Sequence, residues 1–137
     1  MSNFKLSTRS EMRMVGVHDE LKKVVRRAIQ LTSVDFAVIE GKRTRQRQAE
    51  LFKQGATKTM NSRHLTGHAV DLAPMIDGQI PWADKSKFNA VAKAMFTAAA
   101  ELNIKIRWGG DWNENGRSDD ERFYDGPHFE LTWRAYP

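Results

Sequence analysis

Apolar residues recur with helical spacing in two segments of the chain. In residues 18–32 they fall on one side of a helix, and Asp19 is placed to cap its first turn. In residues 84–103 a longer stripe predicts a buried face made of Phe88, Val91, Ala92, Met95, Phe96, Ala99 and Leu102. The alanines of this second segment also favour a helix. Both segments are therefore predicted to be amphipathic helices.

Shorter patterns predict a third helix and four strands. Residues 43–55 have a strongly basic helical pattern that ends at Gly55. Short segments with the apolar, β-branched and aromatic residues of strands lie at residues 35–41, 68–74, 104–108 and 128–133. A turn is expected at Asp77 and Gly78, between the second strand and the long helix.

The order of these elements predicts the fold class. Two helices come early, and the strands and the longest helix follow, without a repeat or a linker. A length of 137 residues suits one domain with one core, covering residues 1–137. We expect an α+β domain in which helices pack on a small, mainly antiparallel sheet.

The composition excludes several kinds of site. The chain contains no cysteine, which excludes disulfides, thiolate metal sites and cysteine nucleophiles. No apolar run approaches the roughly 20 residues that a membrane helix needs, so no membrane insertion is expected. Residues 1–14 lack the apolar core of a signal peptide, which predicts that the protein accumulates in the cytoplasm.

Charge is unevenly distributed along the chain, whose net charge is +5. Residues 1–60 contain 13 Lys and Arg against 6 Asp and Glu, whereas residues 111–137 contain 3 against 7. A basic body attracts polyanions such as nucleic acid, lipopolysaccharide or an anionic cell wall. The acidic end is a candidate cation site, and an ordinary solvated surface explains either pattern equally well.

Two histidines and an aspartate stand close together in residues 62–71, SRHLTGHAVD. Gly67 and the apolar residues after it favour a turn that leads into a strand. Side chains alternate along a strand, so Asp71 faces away from His68. Because a buried carboxylate is rarely left unpaired, Asp71 requires a cation. His64, on the preceding turn, is placed to reach it.

A second cluster of polar residues stands near the end of the chain, where Pro127 stiffens the approach to His128. Asp125 lies three residues before this histidine, and a carboxylate beside a metal-bound water can act as a general base. Glu130 shares a strand face with His128 and either orients a ligand or forms a surface ion pair. Ser62, in the first cluster, either hydrogen-bonds its turn or is an ordinary loop serine.

Together the two clusters resemble a known family. SxHxxGxAxD at residues 62–71 and DxxHFE at residues 125–130 look like the signature of the D-Ala-D-Ala metallopeptidase family. This family includes VanX- and VanY-like enzymes and the L-alanyl-D-glutamate peptidases used as phage endolysins. The segments EGKRT, at residues 40–44, and GGDWN, at residues 109–113, add to the resemblance. It covers residues 20–131 and is greatest to the phage endolysins, in length and in the acidic loop.

The resemblance implies a fold, a cofactor and residue roles. The fold would be that of the hedgehog/D-Ala-D-Ala peptidases, with a zinc site at turn–strand junctions. Zn²⁺ would be held by His64, Asp71 and His128. Asp125 would be the catalytic carboxylate, where the carboxypeptidases usually have glutamate, and Arg43 the arginine that stabilises the transition state.

The acidic stretch at residues 111–122 has part of a calcium-loop pattern. Asp111, Asn113 and Asn115 match its first three ligand positions, and a later ligand would come from Asp119, Asp120 or Glu121. Arg122 stands where the pattern requires a bidentate glutamate. A Ca²⁺ regulator is therefore one expectation, as the resemblance to calcium-controlled endolysins also implies. A solvated acidic turn is the other.

Three functions remain open at this stage. A peptidoglycan peptidase explains both clusters, and it would cut either the L-alanyl-D-glutamate bond or, as a carboxypeptidase or dipeptidase, the D-Ala-D-Ala bond. A basic nucleic-acid-binding module leaves Asp71 and Asp125 unexplained, and no nucleic-acid motif is present. A zinc-containing structural domain needs neither Asp125 nor Arg43. For the peptidase we expect a monomer that reaches the wall through a lesion made by a separate membrane-permeabilising protein.

Overall fold

The computed structural model describes residues 3–56, 60, 62–114 and 124–137. Within these ranges the chain forms four α-helices, four strands and one short 3₁₀ helix. In chain order they are α1 (Thr8–Arg13), α2 (Asp19–Leu31), β1 (Phe36–Glu40), α3 (Arg45–Lys53), the 3₁₀ helix Arg63–Thr66, β2 (Ala69–Pro74), α4 (Lys85–Leu102), β3 (Ile106–Trp108) and β4 (His128–Leu131). The three predicted helices and four predicted strands are confirmed. None of the described helices is long and apolar enough to cross a membrane.

The four strands form one antiparallel sheet in the order β1-β2-β4-β3. The C-terminal strand β4 therefore lies inside the sheet, where it pairs with β2 on one side and with the edge strand β3 on the other. One face of the sheet is apolar, and Val70, Leu72, Phe129 and Leu131 are fully buried on it. Helices α2 and α4 pack against each other, and α4 also contacts β2 and β3. The expected α+β fold is therefore confirmed.

Helix α1 was not predicted from the sequence, because its six residues are too few to show a periodic pattern. Its function in the fold is to cover β1, which is an edge strand. The backbone N–H of Val38 donates to Ser10 Oγ at 3.0 Å, and Arg13 Nη1 donates to the Val38 carbonyl at 3.1 Å. These bonds satisfy polar groups that an edge strand otherwise leaves open.

Two sequence-based expectations about the helices are wrong in detail. His18, and not Asp19, is the N-cap of α2, because its Nδ1 accepts the backbone N–H of Glu20. On α4, Phe96 and Leu102 are each 39% exposed, and Ala94 and Ala98 are buried instead. Phe96 lies about 100° around the helix from the buried Met95. The buried stripe extends toward the alanines because their small side chains allow close packing.

The predicted turn at Asp77 and Gly78 and the predicted helix end at Gly55 are confirmed. Asp77 and Gly78 both have positive φ, and Ile76 pairs with Gln79 across the turn. Gly55 follows α3 in the left-handed conformation.

Candidate metal centre and cleft

The polar face of the sheet carries charged side chains on all four strands. The register pairs Glu40 of β1 with Asp71 of β2, and Asp71 in turn with His128 of β4. Farther along β4, Glu130 is opposite Arg107 of β3. A β-bulge between Val38 and Glu40 sets the first of these pairs. Bulges re-aim side chains, and this one places Glu40 opposite Asp71 on the polar face.

His64 reaches the polar face from the 3₁₀ helix that precedes β2. Ser62 caps this helix by accepting the backbone N–H of His64, so the predicted turn bond of Ser62 is confirmed. The helix ends at Gly67, whose φ is +76°, and a Cβ there would lie 2.3 Å from the Gly16 carbonyl oxygen. Only glycine satisfies both the backbone conformation and the close approach.

His64, Asp71 and His128 converge on one point. Nε2 of His64 and Nδ1 of His128 lie 3.1 and 3.3 Å from the same oxygen, Oδ1 of Asp71. One ligand atom from each residue lies within 4.8 Å of the other two, a grouping able to hold a metal ion. Both histidines are buried, and Asp71 is only partly exposed. The spacing suits three ligands around a single cation.

The outer nitrogens of the two imidazoles show why a cation fits here. Nδ1 of His64 lies 2.8 Å from the Gly41 carbonyl oxygen, and Nε2 of His128 lies 2.7 Å from Glu130 Oε1. Both of these outer partners accept hydrogen bonds, and so does the Asp71 carboxylate on the inner side. A neutral imidazole has one proton for its two nitrogens, so one nitrogen of each ring would face an acceptor with a lone pair. Such an arrangement is stable only with a positive charge among the three groups, as in metal sites whose outer contacts orient the ligands.

The pKa shifts of the buried Asp71 and His128 also indicate that a positive charge is favoured in this cluster. Burial alone would raise the pKa of Asp71, but hydrogen bonds with His128 and His64 outweigh burial and hold it well below its usual range. Burial would likewise lower the pKa of His128, and its contacts with Asp71 and Glu130 instead raise it to about 9. The two carboxylates thus favour a positive charge at His128.

Asp125 lines the same cleft from the loop before β4. Its backbone N–H donates to the Gly109 carbonyl at 2.8 Å, and its carbonyl accepts the N–H of His128 at 3.1 Å. A Cβ at Gly109 would lie 2.3 Å from the Asp125 carbonyl oxygen, so a glycine is needed for this approach. Burial, with a smaller contribution from the Asp71 charge, raises the pKa of the Asp125 carboxyl. A raised carboxyl pKa in a cleft is typical of groups that exchange protons.

Arg43 lies beside the three converging groups. Its Nη2 is 3.9 Å from Asp71 Oδ2, its Nε contacts Glu40, and its Nη1 donates to Gln48 Oε1 at 2.6 Å. The backbone N–H of Arg43 donates to the His64 carbonyl at 2.9 Å. Sequence reasoning placed Arg43 here but missed Gln48, a fully buried residue of α3 with no distinguishing local pattern.

His68 is directed away from the cluster, as the alternation along β2 predicted. Its Nδ1 lies 2.7 Å from Thr66 Oγ1, and its ring contacts those of neighbouring side chains. The ring centroid of His18 is 5.4 Å from it, and His18 in turn contacts Tyr136. Burial lowers the pKa of His68.

The cluster opens into a cleft of about 880 Å³. Besides the residues named above, its walls carry aromatic rings at Trp82, Trp112, Tyr124 and Trp133. Glu130 contacts His128, with which it was predicted to share a strand face, and it is buried rather than part of a surface ion pair. The predicted calcium residues are described only in part. Asp111 and Asn113 lie in a turn after β3, whereas Asn115, Asp119, Asp120 and Glu121 lie outside the described residues.

The fold and site define a small α+β domain whose sheet carries a His/Asp/His cluster able to hold a metal ion, in an open cleft. Comparison with known proteins identifies the class more closely. The chain belongs to the phage L-alanyl-D-glutamate peptidase family, whose family model matches residues 1–132.

Individual relatives agree with this assignment. The chain is 42% identical to the L-alanyl-D-glutamate peptidase of Escherichia phage T5, over 95% of the chain and 99% of the relative. It is 34% identical to the peptidoglycan L-alanyl-D-glutamate endopeptidase CwlK of Bacillus subtilis, over 72% of the chain and 61% of the relative. The crystal structure of the Serratia marcescens L-Ala D-Glu endopeptidase ChiX superposes with a TM-score of 0.82 at 42% identity, covering 95% of the chain and 91% of ChiX.

Proposed function

We propose that the protein is a zinc-dependent endopeptidase that hydrolyses the L-alanyl-D-glutamate bond of peptidoglycan stem peptides, as a phage endolysin. The observation that carries the proposal is the cluster of His64, Asp71 and His128 in a cleft that Asp125 and Arg43 also line. The relatives named above, with their L-alanyl-D-glutamate activity, support this bond over the D-Ala-D-Ala bond. A nucleic-acid module gives no reason for two buried imidazoles that converge on one carboxylate.

The donor set suits Zn²⁺, which prefers imidazole nitrogens and carboxylate oxygens when thiolates are absent. Nε2 of His64, Nδ1 of His128 and a carboxylate oxygen of Asp71 would hold it. Bound there, Zn²⁺ would supply Lewis-acid polarisation and would lower the pKa of water to about 7. For this, the Gly41 carbonyl and Glu130 would accept the outer N–H groups of His64 and His128, so that the inner nitrogens of both rings face the metal.

Asp125 and Arg43 have separate roles in the proposed reaction. The Asp125 carboxylate accepts the proton of the attacking water and later delivers it to the leaving amine, for which its raised pKa is suited. Arg43 is held by Glu40 and Gln48 with its guanidinium toward Asp71. From there it stabilises negative charge that develops on the carbonyl oxygen of the substrate.

Digestion of purified peptidoglycan, followed by mass spectrometry of the soluble fragments, tests this function. We expect new N-terminal D-glutamate residues and free L-alanine carboxyl ends, and loss of the activity after metal chelation. Release of terminal D-alanine would instead assign the carboxypeptidase reaction. Absence of any cleavage by the zinc-loaded protein would refute the peptidase proposal.

We also infer that Ca²⁺ raises activity through the acidic loop. Trp112 supports the coupling, since it stands between Asp111 and Asn113 and its ring centroid lies 5.2 Å from that of His128. A cation bound by this loop would therefore order a side chain that packs on a proposed zinc ligand. The loop residues Asn115, Asp119, Asp120 and Glu121 would complete the site.

A calcium titration of the zinc-loaded protein checks this prediction. Hydrolysis is expected to rise with added Ca²⁺ and to fall with a calcium-selective chelator, and Asp111→Ala is expected to need more Ca²⁺ for the same rate. Asp77→Ala, in the turn after β2, is a matched acidic control outside the loop and is expected to respond as the wild type does. A flat response of the wild type would exclude regulation.

Biologically, we infer that the monomeric enzyme accumulates in the host cytoplasm and acts on the wall at lysis. To reach the wall, the enzyme would require a membrane lesion made by a separate protein. The phage relatives support this setting.

A further inference from the structure

Arg107 is a cleft arginine to which the proposed reaction assigns no role. It lies on β3 directly opposite Glu130, and its Nη2 donates to Glu130 Oε2 at 2.9 Å. The other oxygen of that carboxylate, Oε1, lies 2.7 Å from Nε2 of His128. Arg107 is thus two contacts away from a proposed zinc ligand, and it lines the same cleft.

Three arginines line the cleft, and they differ chiefly in how exposed their side chains are. The Arg43 side chain is 8% exposed and is held by Glu40 and Gln48. Arg63 is 5% exposed, and one nitrogen donates to two backbone carbonyls near the C-terminus. The Arg107 side chain is 29% exposed, and Glu130 is its hydrogen-bond partner among the described residues.

The guanidinium of Arg107 is also held in orientation. Its central carbon lies 5.0 Å from the centroid of the Trp112 ring, which limits rotation of the guanidinium plane. Its Nε is buried and has no hydrogen-bond partner among the described residues. A guanidinium carries five N–H donors in a fixed fork that matches a carboxylate. With one bond to Glu130, Arg107 keeps donors for a second anion.

The substrate of the proposed reaction provides such an anion. Glutamate has two carboxyl groups, and a glutamate within a chain uses only one of them to link to the next residue. The other remains as a free carboxylate next to the bond that is cut. We propose that Arg107 binds this free carboxylate and so selects glutamate on the amine side of the scissile bond. This assignment rests on the proposed function.

The fold gives Arg107 the right position for this task. Glu130 lies between Arg107 and His128, so the guanidinium is fixed relative to the proposed metal ligands by two short contacts. The antiparallel pairing of β3 with β4 fixes the same relation through the backbone. Such fixed geometry lets an arginine distinguish a carboxylate from the uncharged amide of the same shape.

Two matched peptides test the assignment. Both contain L-alanyl-D-glutamate linked to a further residue, one with the second carboxyl group free and the other with it as a carboxamide. Wild-type zinc-loaded protein is expected to cleave the free acid with a kcat/KM roughly 10- to 100-fold higher, the range for a hydrogen-bonded charge. Arg107→Gln is expected to lose this preference by cleaving the free acid more slowly, at unchanged zinc content.

The variants separate recognition from a structural role. If Arg107 served only to hold Glu130, Arg107→Gln would slow both peptides by the same factor and keep the preference. Arg107→Lys retains the charge without the fork, so an intermediate preference is expected. Glu130→Gln is the matched control on the neighbouring strand. Its amide oxygen can still accept from Arg107 while its contact with His128 changes, so both peptides should slow alike.

Each result bears on a different claim. Equal cleavage of the two peptides by the wild type, or equal slowing by Arg107→Gln, would overturn the role of Arg107 and leave the peptidase function standing. Failure of the wild type to cleave either peptide at the L-alanyl-D-glutamate bond would overturn the proposed function and this assignment with it. If Arg107→Gln does not fold, Arg107→Lys is compared with the wild type instead. A preference for the free acid as large as that of the wild type would then overturn the role of Arg107.

Discussion

Replacing either His64 or His128 with alanine is expected to abolish metal binding and hydrolysis together, whereas His68→Ala should keep most of both. His64 and His128 each present a nitrogen to the same oxygen of Asp71, and His68 contacts Thr66 instead. Removing a residue that only hydrogen-bonds to a metal ligand typically lowers metal affinity roughly 10- to 100-fold. Removing a ligand itself should lower the affinity by more. Metal content after dialysis and the hydrolysis rate are measured on the same samples.

Thermal unfolding with and without added zinc provides the control for these variants. A ligand that binds only the folded state raises the midpoint of unfolding. Added zinc should therefore raise the midpoint of the wild type and of His68→Ala, and leave that of His64→Ala unchanged. If His68→Ala lost zinc as completely as His64→Ala, the assignment of ligands to strand faces would be wrong.

Asp125→Ala is expected to retain zinc and to lose roughly 10²–10⁴-fold in kcat, or about 3–5 kcal/mol of transition-state stabilisation. The Asp125 side chain is outside the group of three converging ligands, and its backbone is held by Gly109 and His128. The substitution thus removes the proton-transfer group without removing a ligand. Zinc content and single-turnover rates of the purified variant are the measurements.

Asp125→Asn is the matched variant for this experiment. It preserves the shape of the side chain and removes its ability to carry the proton, so we expect the same loss of rate as with alanine. Turnover near the wild-type value in zinc-loaded Asp125→Asn would rule out the proposed proton transfer. A loss of zinc in both variants would show that Asp125 acts as a ligand.

Local pattern accounts for most of what could be predicted about the fold. Helices α2 and α4 and the four strands follow from apolar spacing within each segment, which needs no knowledge of distant residues. The N-cap of α2 and the exposure of Phe96 were predicted wrongly, because both depend on what packs beside the helix. Helix α1 was missed, since its six residues show no periodic pattern and its bonds to Val38 join it to a distant part of the chain.

At the site, the sequence by itself determined the available donors and the alternation that separates Asp71 from His68. Without cysteine, a zinc site could draw only on imidazoles and carboxylates. The resemblance of two short motifs then indicated the peptidase family, which the family match confirmed. These are properties of residue identity and of short-range spacing, and both can be read directly along the chain.

Only the tertiary structure decided how those donors are directed. The Gly41 carbonyl and Glu130 set which imidazole nitrogens face Asp71, and the strand register brings Arg107 to Glu130. The bulge in β1 similarly places Glu40 opposite Asp71. Each of these contacts depends on how the strands and the loops between them are placed relative to one another. Side-chain direction across a sheet depends on register, and a shift of one residue would reverse it.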